Sequence, residues 1–338
     1  MDNNANIFAG YRKKVDECLV NYLKHETERT RYSLNKSKYP YSLYDPLNYI
    51  MSVVGKRIRP IVMMLACEAF GGNPDEALGA AIAIEILHNF TLVHDDIMDN
   101  ADTRRGRDTI HRKWDTNAAI LVGDELIGLS YRSLLKTRSS RIQEVVATFT
   151  DGVIEVCEGQ ALDKEFEISA DVSLADYIIM IRKKTAELLR TSALIGAIIA
   201  NADENGLKTI SSYSENIGLA FQIHDDLLDV IADESEFGKK IGGDILEKKK
   251  TYLYLKTLEI MDDKNGKKFA ELYSSDIEPN EKINRVIDTY RSVCAIEAAK
   301  KEIKAYTEKA DENLNSIGSE SSKKTLSLFS QMLLNRNY

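Results

Sequence analysis

Hydrophobic positions along the chain follow helical spacing, and runs alternating apolar and polar at every second residue are absent, so the chain reads as all-α. Proline sharpens that reading. Of five prolines, none lies between Pro74 and Pro279, and so long a stretch rich in Ala, Leu, Ile, Glu and Lys suits consecutive helices. The pattern predicts helices over about residues 7–34 and 58–70, the second ended by Gly71 and Gly72. Residues 75–98 are apolar on nearly every face, which marks a helix buried all round. Further helices are expected over 117–135, 140–166, 174–202, 209–232 and 250–261. A long amphipathic helix over 280–317 and a last one over 322–335 complete the series. No low-complexity linker divides the chain, which predicts one large helical domain over residues 1–338.

Two of these apolar helices carry the same acidic insertion. Residues 92–99 read LVHDDIMD and residues 221–229 read FQIHDDLLD. In a helix the positions i and i+4 share a face, so Asp95 projects with Asp99 and Asp225 with Asp229. Asp96 and Asp226 lie about 100° round, close to that face. Carboxylates at this spacing repel, and burying them unpaired costs several kcal/mol per ion. Two such clusters in apolar helices call for cations between them. Oxygen-only donors with no Cys point to Mg²⁺ or Mn²⁺, and Mg²⁺ commonly bridges carboxylates to substrate phosphates. One DDxxD would be an ordinary solvated helix face about as often as a site. Its recurrence in two apolar settings makes that bland reading the weaker one.

Basic residues that could complement a diphosphate occur three times. Gly55-Lys56-Arg57-Ile58-Arg59-Pro60 leads into a helix, where Lys56 and Arg59 can reach phosphate oxygens. Thr103-Arg104-Arg105-Gly106 lies about a turn and a half beyond Asp99. Phe237-Gly238-Lys239 and Lys248-Lys249-Lys250-Thr251 follow the second motif. Taken singly, each would be a surface charge run; their adjacency to the acidic motifs raises them.

The net charge of −8 argues against nucleic acid as a partner, since a phosphate backbone needs a basic face. Cys18, Cys67, Cys157 and Cys294 form no ligand pattern and read as reduced thiols. The N-terminal MDNNANIFAGYRKK lacks the apolar run of a signal peptide. The longest apolar stretches, 78–87 and 192–200, fall short of the ~20 residues of a membrane span. The expectation is a soluble cytoplasmic protein without a membrane span.

Together and in this order, these motifs resemble the trans-prenyl diphosphate synthase (polyprenyl synthetase) family over nearly the whole chain. GKRIRP resembles its first substrate loop, and DDIMD with the following RRG its first aspartate-rich motif. Gly159-Gln160, Lys184-Thr185, Phe221-Gln222 with DDLLD, and the GK…GGD…KKT segment complete the series. The resemblance implies an isoprenoid-synthase helical bundle with a central apolar cavity, acting as a homodimer. It implies that Asp95, Asp96 and Asp99 from one side, and Asp225, Asp226 and Asp229 from the other, bind Mg²⁺ (three ions, Mn²⁺ being the alternative). Those ions hold an allylic diphosphate that Arg104, Lys184, Lys239 and Lys249 clamp. Lys249 is chosen among the three lysines by its distance from Asp244. Lys56, Arg59, His88 and Arg105 would hold isopentenyl diphosphate. Thr185 and Gln222 would line the space where positive charge develops, while Gln160 and Asp163 support the site without touching substrate. His88 has an equally plain reading as a core histidine, and His94 and His224 are assigned no ligand role.

Helix periodicity sets Phe90 and Thr91 one turn deeper than Asp95. In the resembled family a single Phe beside a smaller residue there goes with twenty-carbon products, which favours geranylgeranyl diphosphate over farnesyl diphosphate. Phe90 as ordinary core packing is the alternative. A terpene cyclase would share the fold but lacks GKRIRP and usually a second DDxxD. A carboxylate di-iron bundle needs two Glu-x-x-His motifs, and only Glu85-Ile86-Leu87-His88 is present. A non-catalytic helical subunit would have lost site residues that this chain keeps.

Overall fold

The computed structural model describes residues 2–33, 39–169, 171–231 and 241–334. They are almost wholly helical, the exceptions being loops, turns and two strands of two residues each. The chain divides into two compact units, Met1–Thr148 with Ser192–Leu207, and Phe149–Thr191 with Lys208–Tyr338.

The first unit is built round α4, Leu78–Met98, which a 3₁₀ turn at Pro74–Ala77 starts with Asn73 as its cap. Apolar residues face every direction along it, and α3 (Ile58–Ala69) and, after the short α5 (Ile110–Lys113), α6 (Thr116–Leu134) cover it. Ala80 to Ile84 and Ile86 to Leu87 are all buried as a result. α1 (Asp2–Ser33) packs against α3 and α4, while α2 (Tyr41–Met51) packs against α6. α2 was not expected; Pro40 caps it and Pro46 lies within it. Pro46 sits early in the helix, where its missing N–H leaves only the Ser42 carbonyl without an intrahelical donor.

The apolar helix Pro74–Met98 has 25 residues, longer than the apolar stretches read from sequence, and by length and composition could cross a membrane. Two thirds of its most apolar window is nevertheless buried inside the protein. That surface is already covered by its neighbours, as expected of a core helix.

The second unit takes most of α7 (Ile142–Ile168), α8 (Leu174–Ile181), and α10 (Glu204–Ile231) from Lys208 onward. α8 opens on a capping box between Ser173 and Asp176. It then runs through one π turn, Arg182–Ala186, into α9 (Glu187–Ile199). The single helix expected over 174–202 is thus interrupted where Lys184 and Thr185 lie. A short α11 (Gly243–Leu246) and α12 (Tyr252–Ile260) follow, then α13 (Asp263–Ser274), which was also not expected. α14 (Pro279–Ser292), α15 (Ala295–Leu314) and α16 (Glu320–Leu334) close the chain. The long helix expected over 280–317 is two, because Cys294 adopts a left-handed conformation at φ 59°. Tyr177, Ile223, Leu253, Phe269, Val286 and Tyr290 belong to the core of this unit.

Candidate functional site

In the first unit the aspartate motif closes α4. Asp95 is half-buried, Asp99 is the exposed C-cap, and Asp96 is 2% exposed. The ~100° step between neighbours turns the middle carboxylate into the protein while the i, i+4 pair stays accessible. Asp96 Oδ1 accepts from Arg104 Nε at 2.5 Å. Burial raises the Asp96 pKa, and Arg104 works against the rise. Of the three aspartates expected to bind metal, Asp96 is thus paired with an arginine, while Asp95 and Asp99 are the more accessible.

Arg104 comes from a hairpin rather than a continuing helix. Thr103–Arg104 pairs antiparallel with Arg107–Asp108. Its turn residues Arg105 and Gly106 have φ 52° and 73°, the two positive values a type I′ turn requires. Beside it, the loop before α3 rests on Arg57, which the sequence did not single out. Arg57 is left-handed at φ 53°, a conformation costing about 1 kcal/mol or more outside glycine. Two ion pairs hold it there, a buried one from Nη1 to Glu85 Oε1 at 2.6 Å and a part-buried one from Nε to Asp16 Oδ1 at 2.7 Å. A Cβ on Gly55 would stand 3.0 Å from Arg57 Nη1 and 3.2 Å from Arg105 Nη1. Glycine thus lets the loop pass close beside both guanidinium groups.

The electrostatics of this corner are unbalanced. Burial lowers the Arg59 pKa to about 10, with Glu85 opposing and Arg105 adding to the fall. Its Nε is buried without a hydrogen-bond partner. Arg105 is lowered too, by burial first, with Glu85 opposing and Arg57 and Arg104 adding. Burial and then Arg59, Arg105, Arg104 and Arg57 hold His88 well below the usual imidazole range, so it is neutral. His88 Nδ1 is buried and unpartnered. Lys56 is exposed at the edge of the same loop. Crowded, partly desolvated cations beside one committed carboxylate favour an incoming anion. Below, Phe90 is 7% exposed and Thr91 Oγ1 donates to the His88 carbonyl at 2.8 Å.

In the second unit the same division recurs. Asp225 and Asp229 are half-buried on α10, while Asp226 is 5% exposed. Asp226 accepts from the Tyr177 hydroxyl, from Gln222 Nε2 at 3.0 Å and from the Tyr252 amide at 3.0 Å. Burial, with Asp244 second, raises its pKa to about 7 against the pull of those donors. Asp229 Oδ2 accepts from the Asp244 amide at 3.1 Å, which ties the Gly242 turn to the motif. Tyr177 was not found from sequence, where a tyrosine in an apolar helix reads as core. Tyr177→Phe is expected to lower the urea unfolding midpoint by the equivalent of ~1–3 kcal/mol, since a buried carboxylate loses a donor. An unchanged midpoint would show that the Tyr177 bond contributes nothing.

The π turn sets out the remaining expected residues. Thr185 Oγ1 donates to Gln222 Oε1 at 2.8 Å, and Lys184 Nζ meets Asp163 Oδ2 at 2.5 Å. Lys183 instead binds Glu155 and Glu158, each at 2.6 Å. Two glycines leave room for the widened turn: a Cβ on Gly159 would lie 2.3 Å from the Lys184 amide nitrogen, and one on Gly218 2.5 Å from Ala186 Cα. Among the three consecutive lysines, Lys248 pairs with Asp276 at 2.6 Å, and Lys250 reaches the Phe166 and Ser169 carbonyls at the end of α7. Lys249 lies 3.7 Å from Asp244 and 2.6 Å from Glu247. Lys239, and the residues after Leu334, lie outside the described residues.

Among the described residues, no three His, Cys, Asp or Glu side chains gather closely enough to hold a metal ion by themselves. In each unit taken by itself the accessible pair, Asp95 with Asp99 in the first and Asp225 with Asp229 in the second, consists of carboxylates. That donor set fits Mg²⁺, which keeps water ligands and takes the rest from phosphate oxygens.

Residues 40–290 match the family model described as Polyprenyl synthetase. A geranylgeranyl pyrophosphate synthase from Geoglobus acetivorans is 36% identical over 326 residues, 96% of this chain and all of that one. The crystal structure of geranylgeranyl pyrophosphate synthetase from Pyrococcus horikoshii Ot3 superposes with a TM-score of 0.89 at 35% identity, covering 98% of this chain and 99% of that chain. That of geranylgeranyl pyrophosphate synthase from Corynebacterium glutamicum, complexed with isoprenyl diphosphate and magnesium, gives 0.83 at 27% identity, covering 96% and 99%. With motifs, helical order and nearly the whole length in agreement, this chain belongs to the polyprenyl synthetase family.

Proposed function

We propose that this chain is a Mg²⁺-dependent prenyltransferase that adds isopentenyl diphosphate to allylic diphosphates and releases geranylgeranyl diphosphate. The observation that carries this reading is the contrast within the first unit. One corner, formed by Arg59, Arg105 and neutral His88, is cationic and suited to take an anion directly; another, formed by Asp95 and Asp99, is acidic and needs a cation before it can hold phosphate. Two diphosphates bound by opposite means are what a head-to-tail condensation uses.

In this reading Asp95 and Asp99, with Asp225 and Asp229, hold the ions, three being the expected number and Mn²⁺ a substitute. Bound Mg²⁺ supplies the Lewis acid that draws charge off the departing diphosphate. Asp96 and Asp226 act one step back, Asp96 by fixing Arg104 and Asp226 by fixing Gln222. Arg104, Lys184, Lys239 and Lys249 neutralise the leaving group as the allylic C–O bond breaks and its electron pair departs with the diphosphate. Thr185, its hydrogen committed to Gln222, offers oxygen lone pairs to the developing cation. Lys56, Arg59, His88 and Arg105 hold isopentenyl diphosphate so that its double bond supplies the pair for the new C–C bond. A proton then leaves the adjacent carbon, with the released diphosphate as its acceptor. The chain would work as one domain, as a homodimer, in the cytoplasm.

The test is incubation with labelled isopentenyl diphosphate and dimethylallyl, geranyl or farnesyl diphosphate, with Mg²⁺ or excess chelator. Twenty-carbon product only in the presence of both substrates and metal is expected. Product from the allylic diphosphate alone would indicate a cyclase, and full turnover under chelator would remove the role of the aspartates. For length, Phe90→Ala is expected to extend the product by one or more five-carbon units, read by reversed-phase chromatography. An unchanged product would return Phe90 to plain core packing.

A further inference from the structure

One histidine of the first aspartate motif has no part in the chemistry above, yet it is placed against the residue that sets product length. His94 follows Phe90 by four positions, so the two side chains stack on one face of α4. Their rings meet edge to face, 4.7 Å between centroids at 66°. The other side of the imidazole lies on α6 where that helix has no side chain. A Cβ on Gly123 would fall 2.0 Å from His94 Nε2 and 2.5 Å from Cδ2, so the ring fills the notch that glycine leaves. Nε2 also lies 3.4 Å from the Ile120 carbonyl, within the same turn of α6.

We propose that His94, seated in the Gly123 notch, is a specificity-determining residue that holds the Phe90 ring in place as the floor of the product site. This rests on the reading of Phe90 as that floor. The mechanical reason is that Phe90 is nearly fully buried and its ring can swing toward α6 only by displacing the imidazole. His94 is a positioning residue here, and it acts through Phe90. Removing the ring, or filling its seat, frees Phe90 by the same route. His94→Ala deletes the wedge, and Gly123→Ala evicts it. An aromatic pair is worth about 0.5–1.5 kcal/mol beyond burial, so a product ratio can shift by roughly tenfold when it is lost.

The experiment extends farnesyl diphosphate with labelled isopentenyl diphosphate, using the full chain and its Phe90→Ala, His94→Ala, His94→Phe and Gly123→Ala variants. Products are separated by chain length, and the allylic KM is measured alongside. His94→Ala and Gly123→Ala are expected to raise the ratio of longer to twenty-carbon product roughly tenfold. His94→Phe, which keeps a ring against Phe90, is expected to keep the original ratio. A merely structural role, or one in setting Asp95, would lower yield or raise the allylic KM and leave the ratio alone, and that result overturns the proposal. Should Gly123→Ala fail to fold, the contrast between His94→Ala and His94→Phe decides. If Phe90→Ala lengthens product while neither His94→Ala nor Gly123→Ala does, the floor stands and the wedge fails. If Phe90→Ala itself changes nothing, the floor fails and takes the wedge with it.

Discussion

Asp95→Asn is expected to lower kcat by about 10³-fold, the consequence of losing several kcal/mol of metal-borne charge stabilisation in the transition state. The Mg²⁺ concentration giving half-maximal rate should rise with it. Asp96→Asn, one residue along, is expected to cost only about tenfold and leave the Mg²⁺ dependence in place. The difference follows from where the two carboxylates point. Asp95 is accessible, whereas Asp96 is buried on Arg104. An amide there keeps a weaker bond to the guanidinium, a loss of about 1 kcal/mol against a charge-assisted one. Steady-state rates across a Mg²⁺ titration separate the two, and equal losses with equal metal shifts would make Asp96 a ligand after all.

Arg59→Met should move affinity and stability in opposite directions. The KM for isopentenyl diphosphate is expected to rise about 10²-fold, since bonds from a guanidinium to phosphate oxygens contribute roughly 1.5–3 kcal/mol and more as a bidentate pair. Without substrate, the variant is expected to melt higher. Arg59 is a desolvated cation facing Arg105, and the nearest carboxylate, Glu85, is already bonded to Arg57. Replacing such a charge by an apolar chain of similar volume is often neutral or stabilising, and binding sites commonly carry this kind of cost. Initial rates against isopentenyl diphosphate and a melting curve of the free protein check both halves. A lower melting temperature together with an unchanged KM would make Arg59 a structural cation.

The fold class and the aspartate pairs were legible because they depend on periodicity and on residue chemistry, both local properties. DDIMD and DDLLD announce themselves in apolar helices, and four-residue spacing already singled out Asp95 with Asp99 and Asp225 with Asp229. What spacing could not reveal is which way a helix face turns in the finished core. That turn separates Asp96 and Asp226 from their neighbours and brings Tyr177 and the Tyr252 amide to Asp226. Arg57 escaped notice for a similar reason: its partners Asp16 and Glu85 are distant in sequence and meet it only after packing. The break at Cys294 carries no Gly or Pro to mark it, so a continuous amphipathic pattern hid two helices. Conversely, α2 continues through Pro46 over a stretch where no helix was expected.

The widened turn at Arg182–Ala186 changes the phase of everything threaded after it. An α-helix running straight from Leu174 would aim Lys184 and Thr185 some tens of degrees away, because a π turn accommodates one residue more than the α ladder allows. Removing a single residue from this segment would restore regular winding and a sound helix, yet turn the lysine and threonine off their present bearings by some tens of degrees. Gly159 and Gly218, which leave space for the bulge, would then face a gap. A chain so shortened could be well folded and catalytically silent, which makes residue count here a functional quantity in its own right.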